Sequence, residues 1–258
     1  MRKKNKVHII IQARVGSKRL RNKVLKKHKS LSPLKIMIER LKNCKNIDEI
    51  IICTTFLKED YKIVEFCKKE KLQFYRGSVN NVLSRYYKTA KKYNSQIIIR
   101  VTSDCPFVDY RIVNKMLSEF KNFKIDYYAN TYPMPTQYPD GMDVEIFKFP
   151  VLEKTNKLAK LPSEKEHVTP YMFNSKKFKT RKKIIKQNYS NYRFCIDYLD
   201  DFKLYSKILD NFKSKIYKAS MLDIIKFAKK NPSYISYQTK IKRNEGWASA
   251  LKKDEKFK

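Results

Sequence analysis

The stretch VHIIIQARVGSKRLRNK, residues 7–23, passes from a run of β-branched residues directly into a short basic loop. The apolar residues at 7–11 predict a strand that is buried in the centre of a sheet. A loop that leaves the C-terminal end of such a strand lies where open α/β sheets bind their ligands.

This loop combines the residue types that bind polyphosphate. Gly16 lets the backbone approach an anion closely, and Ser17 can donate a hydrogen bond. Five cations can neutralise phosphate charge: Arg14, Lys18, Arg19, Arg21 and Lys23. The spacing matches neither the P-loop nor the dinucleotide-binding motif, because Lys18 follows Gly16 too closely and no second glycine is present. Residue types alone leave a solvated basic loop open as the alternative interpretation.

The length and the net charge of the chain limit which fold classes and which binding partners are expected. A chain of 258 residues suits one α/β domain with a sizeable core. The formal net charge is +34, but the 47 lysines and 12 arginines are scattered through almost every segment. The charge therefore favours anionic ligands without identifying them. No zinc finger, basic zipper or aromatic RNA-binding motif is present, so nucleic acid is not expected as a partner.

Cysteine usage and the N-terminal sequence indicate the compartment. Five cysteines without a CxxC pair predict reduced, buried thiols instead of a metal or disulfide site. The apolar run near the N-terminus is broken by Gln12 and Arg14, which makes it too short for a signal peptide core or a membrane span. We therefore expect a soluble, cytoplasmic protein without a membrane span.

Strand and helix patterns alternate through the first 125 residues. Helices are predicted over 33–44, 61–71 and 79–93, and strands over 48–55, 72–75 and 96–101. This alternation requires right-handed crossovers and a parallel sheet, so residues 1–125 are predicted to form a doubly wound, nucleotide-binding half.

The pattern changes after residue 126. Residues 126–200 have the composition of an acceptor-binding part, with strands predicted over 142–149 and 192–196. Residues 201–258 are predicted to form helices over 201–211 and 221–230, followed by a lysine-rich tail that frays after Ala250. We treat 1–258 as a single domain.

Two aspartates follow predicted strands directly. Asp104 comes just after the strand at 96–101, and Asp197 follows the apolar segment at 192–196. A carboxylate across a sheet from a phosphate loop suits Mg²⁺, which prefers one or two carboxylates together with phosphate oxygens and water. The alternative is that both aspartates cap helices, Asp104 the helix that starts near Asp109.

A second acidic cluster surrounds the turn at Gly141. Asp140 alone would be an ordinary turn residue, but Asp143 and Glu145 alternate onto one face of a strand. Carboxylates in that arrangement can accept hydrogen bonds from sugar hydroxyls. A further polar cluster contains Glu166, His167 and Thr169, where a structural role for the lone histidine stays open. No GxSxG, HExxH or Ser/His/Asp order is present, which disfavours a hydrolase.

Seven segments together resemble the cytidylyltransferase-like family of the spore coat polysaccharide biosynthesis protein F type. These proteins are related to the enzymes that activate ketodeoxyoctonate and sialic acids with CTP. The segments are IIIQARVGSKRLRNKVL at 9–25, ERLKNCKNIDEIIICTT at 39–55, FYRGSVNNVLSRYYKTAKKY at 74–93, IIRVTSDCPFVD at 98–109, YPDGMDVEIF at 138–147, EKEHVTPYMF at 164–173 and RNEGWASAL at 243–251. They follow one order along nearly the whole chain.

The resemblance implies an α/β nucleotide-diphospho-sugar transferase fold, which is Rossmann-like, of the GT-A type, with three layers around a central, mostly parallel sheet. It also implies the nucleotide-binding residues: Ala13, Arg14, Gly16, Ser17, Arg19 and Lys23 at the triphosphate, Arg76, Gly77, Ser78 and Asn81 near the cytosine ring, and Arg100 and Thr102 at the strand end. Asp104 and Asp197 are the implied ligands of a Mg²⁺ cofactor, and Arg14, Lys23 and Asp104 the implied catalytic residues. The acceptor would contact Asp140, Asp143, Glu145, Glu166 and His167.

Two departures from the family pattern accompany the resemblance. The metal-binding motif Asp-Thr-Pro-Glu-Asp of related synthetases reads DYLDD at 197–201, and Arg21 and Asn22 replace a Pro-Gly pair.

In the implied reaction, an oxygen of a sugar acid or sugar phosphate attacks the α-phosphate of CTP, and pyrophosphate leaves. The activated sugar would serve surface polysaccharide biosynthesis. A homodimer is an open expectation. A glycosyltransferase on the same fold and a non-catalytic protein that binds anionic polymers are the competing hypotheses.

Overall fold

A computed structural model describes residues 5–17, 19–243 and 245–257, so the predicted phosphate contact of Lys18 lies outside the described residues. Seven strands form one sheet: β1 (Val7–Gln12), β2 (Glu49–Thr55), β3 (Gln73–Gly77), β4 (Ile97–Thr102), β5 (Tyr127–Ala129), β6 (Glu145–Lys148) and β7 (Thr180–Lys182). Their order is β3-β2-β1-β4-β6-β5-β7, and β6 alone runs antiparallel to its neighbours. The sheet is therefore mostly parallel, as predicted.

Ten α-helices surround this sheet in the described residues: α1 (Pro33–Leu41), α2 (Tyr61–Lys69), α3 (Val82–Lys92), α4 (Tyr110–Asn122), α5 (Phe149–Leu158), α6 (Pro162–His167), α7 (Pro170–Asn174), α8 (Leu199–Phe212), α9 (Met221–Lys230) and α10 (Glu245–Glu255). Alternate residues of each strand point to opposite faces. Ile9 and Ile11 pack with α1, α2 and α4, whereas Ile10 packs with α3 and α5. Helices therefore cover both faces, and the sheet is the middle of three layers.

The predicted elements of the first 125 residues are confirmed, with bounds that differ by a few residues. The strand predicted over 192–196 is wrong. This segment forms only an isolated bridge between Asp140 and Arg193, because its backbone hydrogen bonds go to loops. The N–H of Phe194 donates to the carbonyl of Asp140 at 2.7 Å, and that of Ile196 donates to the carbonyl of Asp104 at 2.8 Å. The segment thereby carries Asp197 to the end of β4.

Gly141 makes this close packing of loops possible. Its φ is +94°, and a Cβ at this position would lie 2.6 Å from the backbone nitrogen of Cys195. Both the conformation and the contact exclude a side chain. The strand predicted over 142–149 is also shorter than expected, since β6 begins only at Glu145 and leaves Asp143 in the preceding turn.

The lysine-rich tail after Ala250 is not frayed; residues 245–255 form α10. Ala250 is buried, and Asp254 is buried with its carboxylate at the start of α6. That carboxylate accepts hydrogen bonds from the Ser163 N–H at 2.9 Å and from the Ser163 hydroxyl at 2.5 Å. The sequence pattern missed this helix because a buried carboxylate and lysines do not produce an apolar face. No described helix is both long and apolar enough to cross a bilayer.

Replacing Asp254 with alanine tests this anchor. The variant leaves two donors of Ser163 without their partner, so we expect the free energy of unfolding to fall by about 1–2 kcal/mol. Urea denaturation followed by circular dichroism measures the change. Glu255→Ala on the same helix, at an exposed position, should change it by less than about 0.5 kcal/mol. Equal effects of the two substitutions would contradict the anchoring role.

Candidate active site

The basic loop after β1 is held at the C-terminal edge of the sheet by a buried carboxylate. Asp60 accepts a hydrogen bond from the Val15 N–H at 2.6 Å and a second from the Thr55 hydroxyl at the end of β2. The N–H of Asn22 donates a hydrogen bond to the Val15 carbonyl at 3.2 Å, which closes the loop. The loop therefore lies where the sequence predicted it.

Lys23 bridges the two aspartates that the sequence selected as metal ligands. Its Nζ lies 3.0 Å from Asp104 Oδ2 and 2.8 Å from Asp197 Oδ1. Lys23 is largely buried, with 12% of its side chain exposed. The two carboxylates therefore converge on one point, opposite the loop and at the end of β4.

Neither aspartate caps a helix. Asp109 caps α4 by accepting a hydrogen bond from the Arg111 N–H. At the start of α8, Asp201 accepts hydrogen bonds from the backbone N–H groups of Asp197 and Tyr198. The capping alternative is thus wrong for both Asp104 and Asp197, whose carboxylates remain directed at Lys23.

Electrostatics keep both carboxylates ionised. Burial is the largest single influence and raises the pKa of Asp104 and of Asp197, but the charge of Lys23 and the hydrogen bonds to each carboxylate together outweigh it, and the pKa of each lies below its usual value. For Asp197, hydrogen bonding to Lys23 and the charges of Arg193 and Arg19 lower the pKa further. The site therefore presents two anionic carboxylates at neutral pH.

Sequence reasoning missed Arg193, which organises this cluster. Its guanidinium contacts Asp140 at 2.6 Å, Asp197 at 2.7 Å and Asp201 at 3.3 Å. The arginine lies in a segment without regular structure, and Asp140 is 53 residues away from it in sequence. Arg243, also missed, pairs with Asp143 at 3.4 Å.

A cleft of about 1040 Å³ lies between the loop, the end of β4 and helices α6 and α10. Six cations and four carboxylates line it: Arg14, Arg19, Lys23, Arg85, Lys165 and Lys253, with Asp104, Glu166, Asp197 and Glu245. Ala13, Ser17, Thr102 and His167 also contribute, whereas Gly16 does not. The excess of cations suits a polyanion, and Arg14 has no ion pair within residues 5–17, 19–243 and 245–257.

In the turn at residues 76–81, which was predicted to contact the cytosine ring, the side chains of Arg76 and Asn81 bind the chain itself. Arg76 donates hydrogen bonds to the carbonyls of Thr55 and Phe56, and Asn81 caps α3. The carbonyl of Ser78 accepts a hydrogen bond from Arg85 at 3.0 Å. Neither these three residues nor Gly77 lines the cleft; the adjacent Val79, Asn80, Val82 and Arg85 do. Nucleotide binding by the turn itself stays a prediction.

A smaller cavity of about 220 Å³ adjoins the cleft. Its carboxylates outnumber its cations: Asp104, Asp140, Asp143, Glu145, Asp197 and Glu245 face Arg19, Arg100, Arg193 and Lys242. Four residues predicted to bind the acceptor, Asp140, Asp143, Glu145 and His167, therefore lie together, while Glu166 lies in the larger cleft.

Glu145 and Arg100 are committed to internal partners. They form a buried ion pair, and Glu145 also accepts hydrogen bonds from the Tyr127 hydroxyl at 2.6 Å and the Thr169 hydroxyl at 2.5 Å. Only 3% of the Glu145 side chain is exposed. These contacts fix the position of both side chains in the wall of the smaller cavity. That Arg100 contacts the nucleotide and that Glu145 contacts the acceptor both stay predictions.

Aromatic side chains that the sequence did not single out line the same cavity. Tyr132 and Phe173 stack with centroids 5.6 Å apart, and Trp247 of α10 lies 6.4 Å from Tyr132. His167 meets Trp247 edge-on at 5.2 Å. Burial and the charge of Arg100 lower the pKa of His167, and its Nε2 has no hydrogen-bond partner in the described structure. The imidazole is therefore neutral at pH 7, and the Nε2 atom without a partner is buried.

Asp143 is the carboxylate in this cavity whose charge is least favoured. Burial raises its pKa to about 6, although Arg243 opposes the shift. Because the folded state binds its proton more tightly than the unfolded state, Asp143 costs stability as pH rises from about 4 through 6.

We therefore expect Asp143→Asn to gain stability relative to wild type by up to about 3 kcal/mol between about pH 4 and pH 7. Urea unfolding of both proteins at each pH measures the difference, and a pH-independent difference would contradict the shift.

The cleft and the cavity share one wall. Asp104, Asp197, Arg19, Thr102 and His167 line both spaces. A group bound in the cationic cleft and a group bound in the aromatic cavity would therefore meet at the paired aspartates. This is the geometry of a transfer reaction between two bound substrates.

Comparison with known proteins identifies the family. A family model described as Cytidylyltransferase matches residues 8–241. The chain belongs to the cytidylyltransferase family. It is similar to a cytidylyltransferase from Leptospira borgpetersenii serovar Hardjo-bovis, with 37% identity, a TM-score of 0.84, and coverage of 90% of this chain and 97% of that one. This likeness confirms the predicted nucleotidyltransferase fold and the enzyme class.

The chain is also similar in sequence to two curated proteins. An uncharacterized protein of Methanocaldococcus jannaschii is 36% identical over 239 residues, which cover 91% of this chain and 95% of the relative. The spore coat polysaccharide biosynthesis protein SpsF of Bacillus subtilis is 32% identical over 175 residues, which cover 66% of this chain and 71% of the relative. The resemblance drawn from the seven sequence segments is thus confirmed.

Proposed function

We propose that this cytidylyltransferase transfers CMP from CTP to an oxygen of a sugar acid or sugar phosphate and releases pyrophosphate. One observation carries the proposal: the paired carboxylates Asp104 and Asp197 lie on the wall shared by a cationic cleft and a smaller cavity rich in aromatic and acidic groups. The triphosphate fits the cationic cleft, and a hydroxyl-rich acceptor fits the smaller cavity. The likeness to SpsF, a spore coat polysaccharide biosynthesis protein, supports surface polysaccharide biosynthesis as the purpose.

Chain residues would position the triphosphate. Arg14 faces the cleft and forms no ion pair with any described residue, while Arg19 is held by Asp197 at 2.6 Å and by Glu245 at 3.1 Å. Phosphate oxygens can replace these carboxylates as partners of Arg19, because guanidinium groups bind both in the same bidentate manner. Lys23 would offset the charge that develops as the bond to pyrophosphate breaks.

The residues also fit the implied Mg²⁺. No cluster of three or more His, Cys, Asp or Glu suitable for a metal occurs in the described residues. Asp104 and Asp197 nevertheless provide two ionised carboxylates that both contact Lys23 Nζ, and Mg²⁺ held by them would displace that ammonium group towards the triphosphate. A pair of carboxylates together with phosphate oxygens and water matches the preference of Mg²⁺. Bound there, Mg²⁺ would neutralise phosphate charge.

The acceptor would lie in the smaller cavity with its attacking oxygen towards Asp104. Asp140 and Asp143 can accept hydrogen bonds from sugar hydroxyls, and His167 Nε2, which is buried, would become a further acceptor once the bound ligand opens access to it. A neutral imidazole there can take the proton that the attacking hydroxyl loses.

A pyrophosphate-release screen tests the proposal. CTP, ATP, GTP and UTP are each combined with 2-keto-3-deoxy-manno-octonate, N-acetylneuraminate and a set of sugar 1-phosphates in the presence of Mg²⁺. We expect release with CTP and at least one acceptor, and none without acceptor. Consumption of a sugar nucleotide without pyrophosphate would favour a glycosyltransferase. Salt-sensitive binding of anionic polymers without turnover would favour a non-catalytic protein.

A further inference from the structure

Arg85 is a buried cation that has no carboxylate partner in the described residues. It lies in the first turn of α3, is 2% exposed and lines the cationic cleft. The one hydrogen bond that its guanidinium makes to an oxygen atom of the described chain runs from Nη1 to the Ser78 carbonyl at 3.0 Å. Its Nε has no hydrogen-bond partner there. Most N–H donors of the guanidinium are therefore left for a ligand.

The neighbours of Arg85 hold the guanidinium in place without neutralising it. The stem of the side chain passes beside Gly77, where a Cβ would lie 3.2 Å from the Arg85 Cγ, so the glycine makes room for it. The nearby Cys53 thiol supplies no negative charge, because burial raises its pKa to about 11 and the charge of Arg85 opposes that shift only in part. Burying an uncompensated charge costs stability, which points to a ligand with hydrogen-bond acceptors for this guanidinium.

The part of the cleft around Arg85 differs in chemistry from the part around the paired aspartates. Residues 79–85 contain no carboxylate, and those of them that line the cleft are Val79, Asn80, Val82 and Arg85. Two apolar side chains, one amide and one guanidinium suit the flat faces and the polar edge of a nucleobase. With the triphosphate between the basic loop and the aspartates, this end of the cleft is left for the base.

We infer that Arg85, and not the turn residue Arg76, selects the base of the nucleotide. Arg76 donates its hydrogen bonds to the carbonyls of Thr55 and Phe56 and does not line the cleft. Two N–H groups of the Arg85 guanidinium donate to O2 and N3 of cytosine, which are adjacent acceptors. Uracil carries a hydrogen on N3, so one donor would face another and the paired contact would be lost. Arg85 therefore favours CTP over UTP. This inference rests on the proposed function for the use of CTP and is independent of the acceptor.

Nucleotide binding in the absence of acceptor tests the role of Arg85. Isothermal titration calorimetry measures the Kd of CTP, UTP and inorganic triphosphate for wild type and for Arg85→Lys. Lysine keeps the positive charge and removes the pair of parallel donors, so the Kd of CTP should rise about tenfold or more, whereas those of UTP and triphosphate should change less than about threefold. The ratio of the CTP and UTP constants is measured on one preparation, so partial unfolding of the variant cannot produce the result. An unchanged ratio would overturn the inference.

Further variants separate a base contact from a phosphate contact. Lys88→Gln is the control, because Lys88 is exposed on the same helix and lines neither space, and its CTP preference should equal that of wild type. If Arg85→Met weakens CTP, UTP and triphosphate equally and Arg85→Lys restores all three, Arg85 contacts phosphate and the inference is overturned. A preference that Arg76→Gln abolishes and Arg85→Lys keeps would likewise overturn it and assign the base to the turn.

The inference and the proposed function can fail separately in these measurements. A CTP preference that Arg85→Lys abolishes, in a protein that releases no pyrophosphate with any acceptor of the screen, would keep the inference and refute the proposed function. Pyrophosphate release from CTP by an Arg85→Lys enzyme that still discriminates fully against UTP would keep the proposed function and overturn the inference.

Discussion

Lys23→Met should lower kcat/KM by about 10²–10³-fold, the range expected when one preorganised charge is removed from a transition state. Lys23 is nearly enclosed and contacts both Asp104 and Asp197, so no neighbouring cation can take its place without moving. Methionine keeps much of the length of the side chain and removes only the charge. Steady-state pyrophosphate release, measured against CTP and against acceptor, separates the losses in kcat and KM.

Lys23→Met should also lower the free energy of unfolding, and Mg²⁺ should restore part of the loss. Without Lys23, the two carboxylates face each other with less compensation, so their pKa values rise and the free energy of unfolding falls by about 1–3 kcal/mol. Millimolar Mg²⁺ should recover part of that loss by replacing the missing charge. Arg21→Gln is the control, because Arg21 is exposed in the same loop and lines neither space. Wild-type activity in Lys23→Met, or equal losses in both variants, would contradict the assigned role.

Asp104→Asn and Asp197→Asn should each lower kcat by about 10³-fold, and the double variant should be scarcely worse than either single one. Residues that act as a unit show this lack of additivity. Asp200→Asn, three residues from Asp197 and exposed beside Lys203, should retain near-normal activity. Additive losses would show that the two carboxylates act separately.

CTP binding distinguishes the loss of metal from the loss of the fold in these variants. Removing either carboxylate frees part of the charge of Lys23, so CTP binding without Mg²⁺ should be kept or strengthened. The Mg²⁺ concentration for half-maximal activity should rise at the same time. Isothermal titration calorimetry with CTP, in the presence and absence of Mg²⁺, measures both. Lost CTP binding without metal would indicate a structural role for the aspartates instead.

Much of the structure of residues 1–125 was predictable because its signals are local. The β-branched run of β1 and the alternation up to β4 specify a parallel sheet by hydropathy alone. A parallel sheet brings the C-terminal ends of its strands to one edge. Asp104 and the basic loop therefore had to lie near each other, and the pairing of Lys23 with Asp104 follows from that topology.

The surroundings of the smaller cavity were less predictable because their contacts join distant segments that have weak local signals. Arg193 lies outside any strand, and its contact with Asp140 crosses 53 residues of sequence. The segment around it pairs with a turn that only Gly141 can form, which a strand pattern does not reveal. Asp197 lies beside Asp104, as the metal hypothesis requires, although the strand that the sequence placed before it does not form.

Helix α10 was missed for a different physical reason. Its buried face contains Ala250 and the carboxylate of Asp254, and its remaining residues are largely charged or small. A helix that is held by hydrogen bonds and ion pairs at its ends has little hydrophobic periodicity. Trp247 within a charged tail was the one residue that could have indicated a packed segment.

Phosphorus nuclear magnetic resonance of the complete reaction tests the central claim most directly. CTP, Mg²⁺ and the acceptor found in the screen are followed with wild type and with Asp104→Asn in parallel. With wild type, pyrophosphate and the cytidylyl ester should appear in equal amounts as CTP disappears; the ester is a phosphodiester if the acceptor is a sugar acid and a diphosphate diester if it is a sugar phosphate. With Asp104→Asn both products should form about 10³-fold more slowly. Release of orthophosphate, formation of free CMP without the diester, or equal rates in the two proteins would contradict cytidylyl transfer at the paired aspartates.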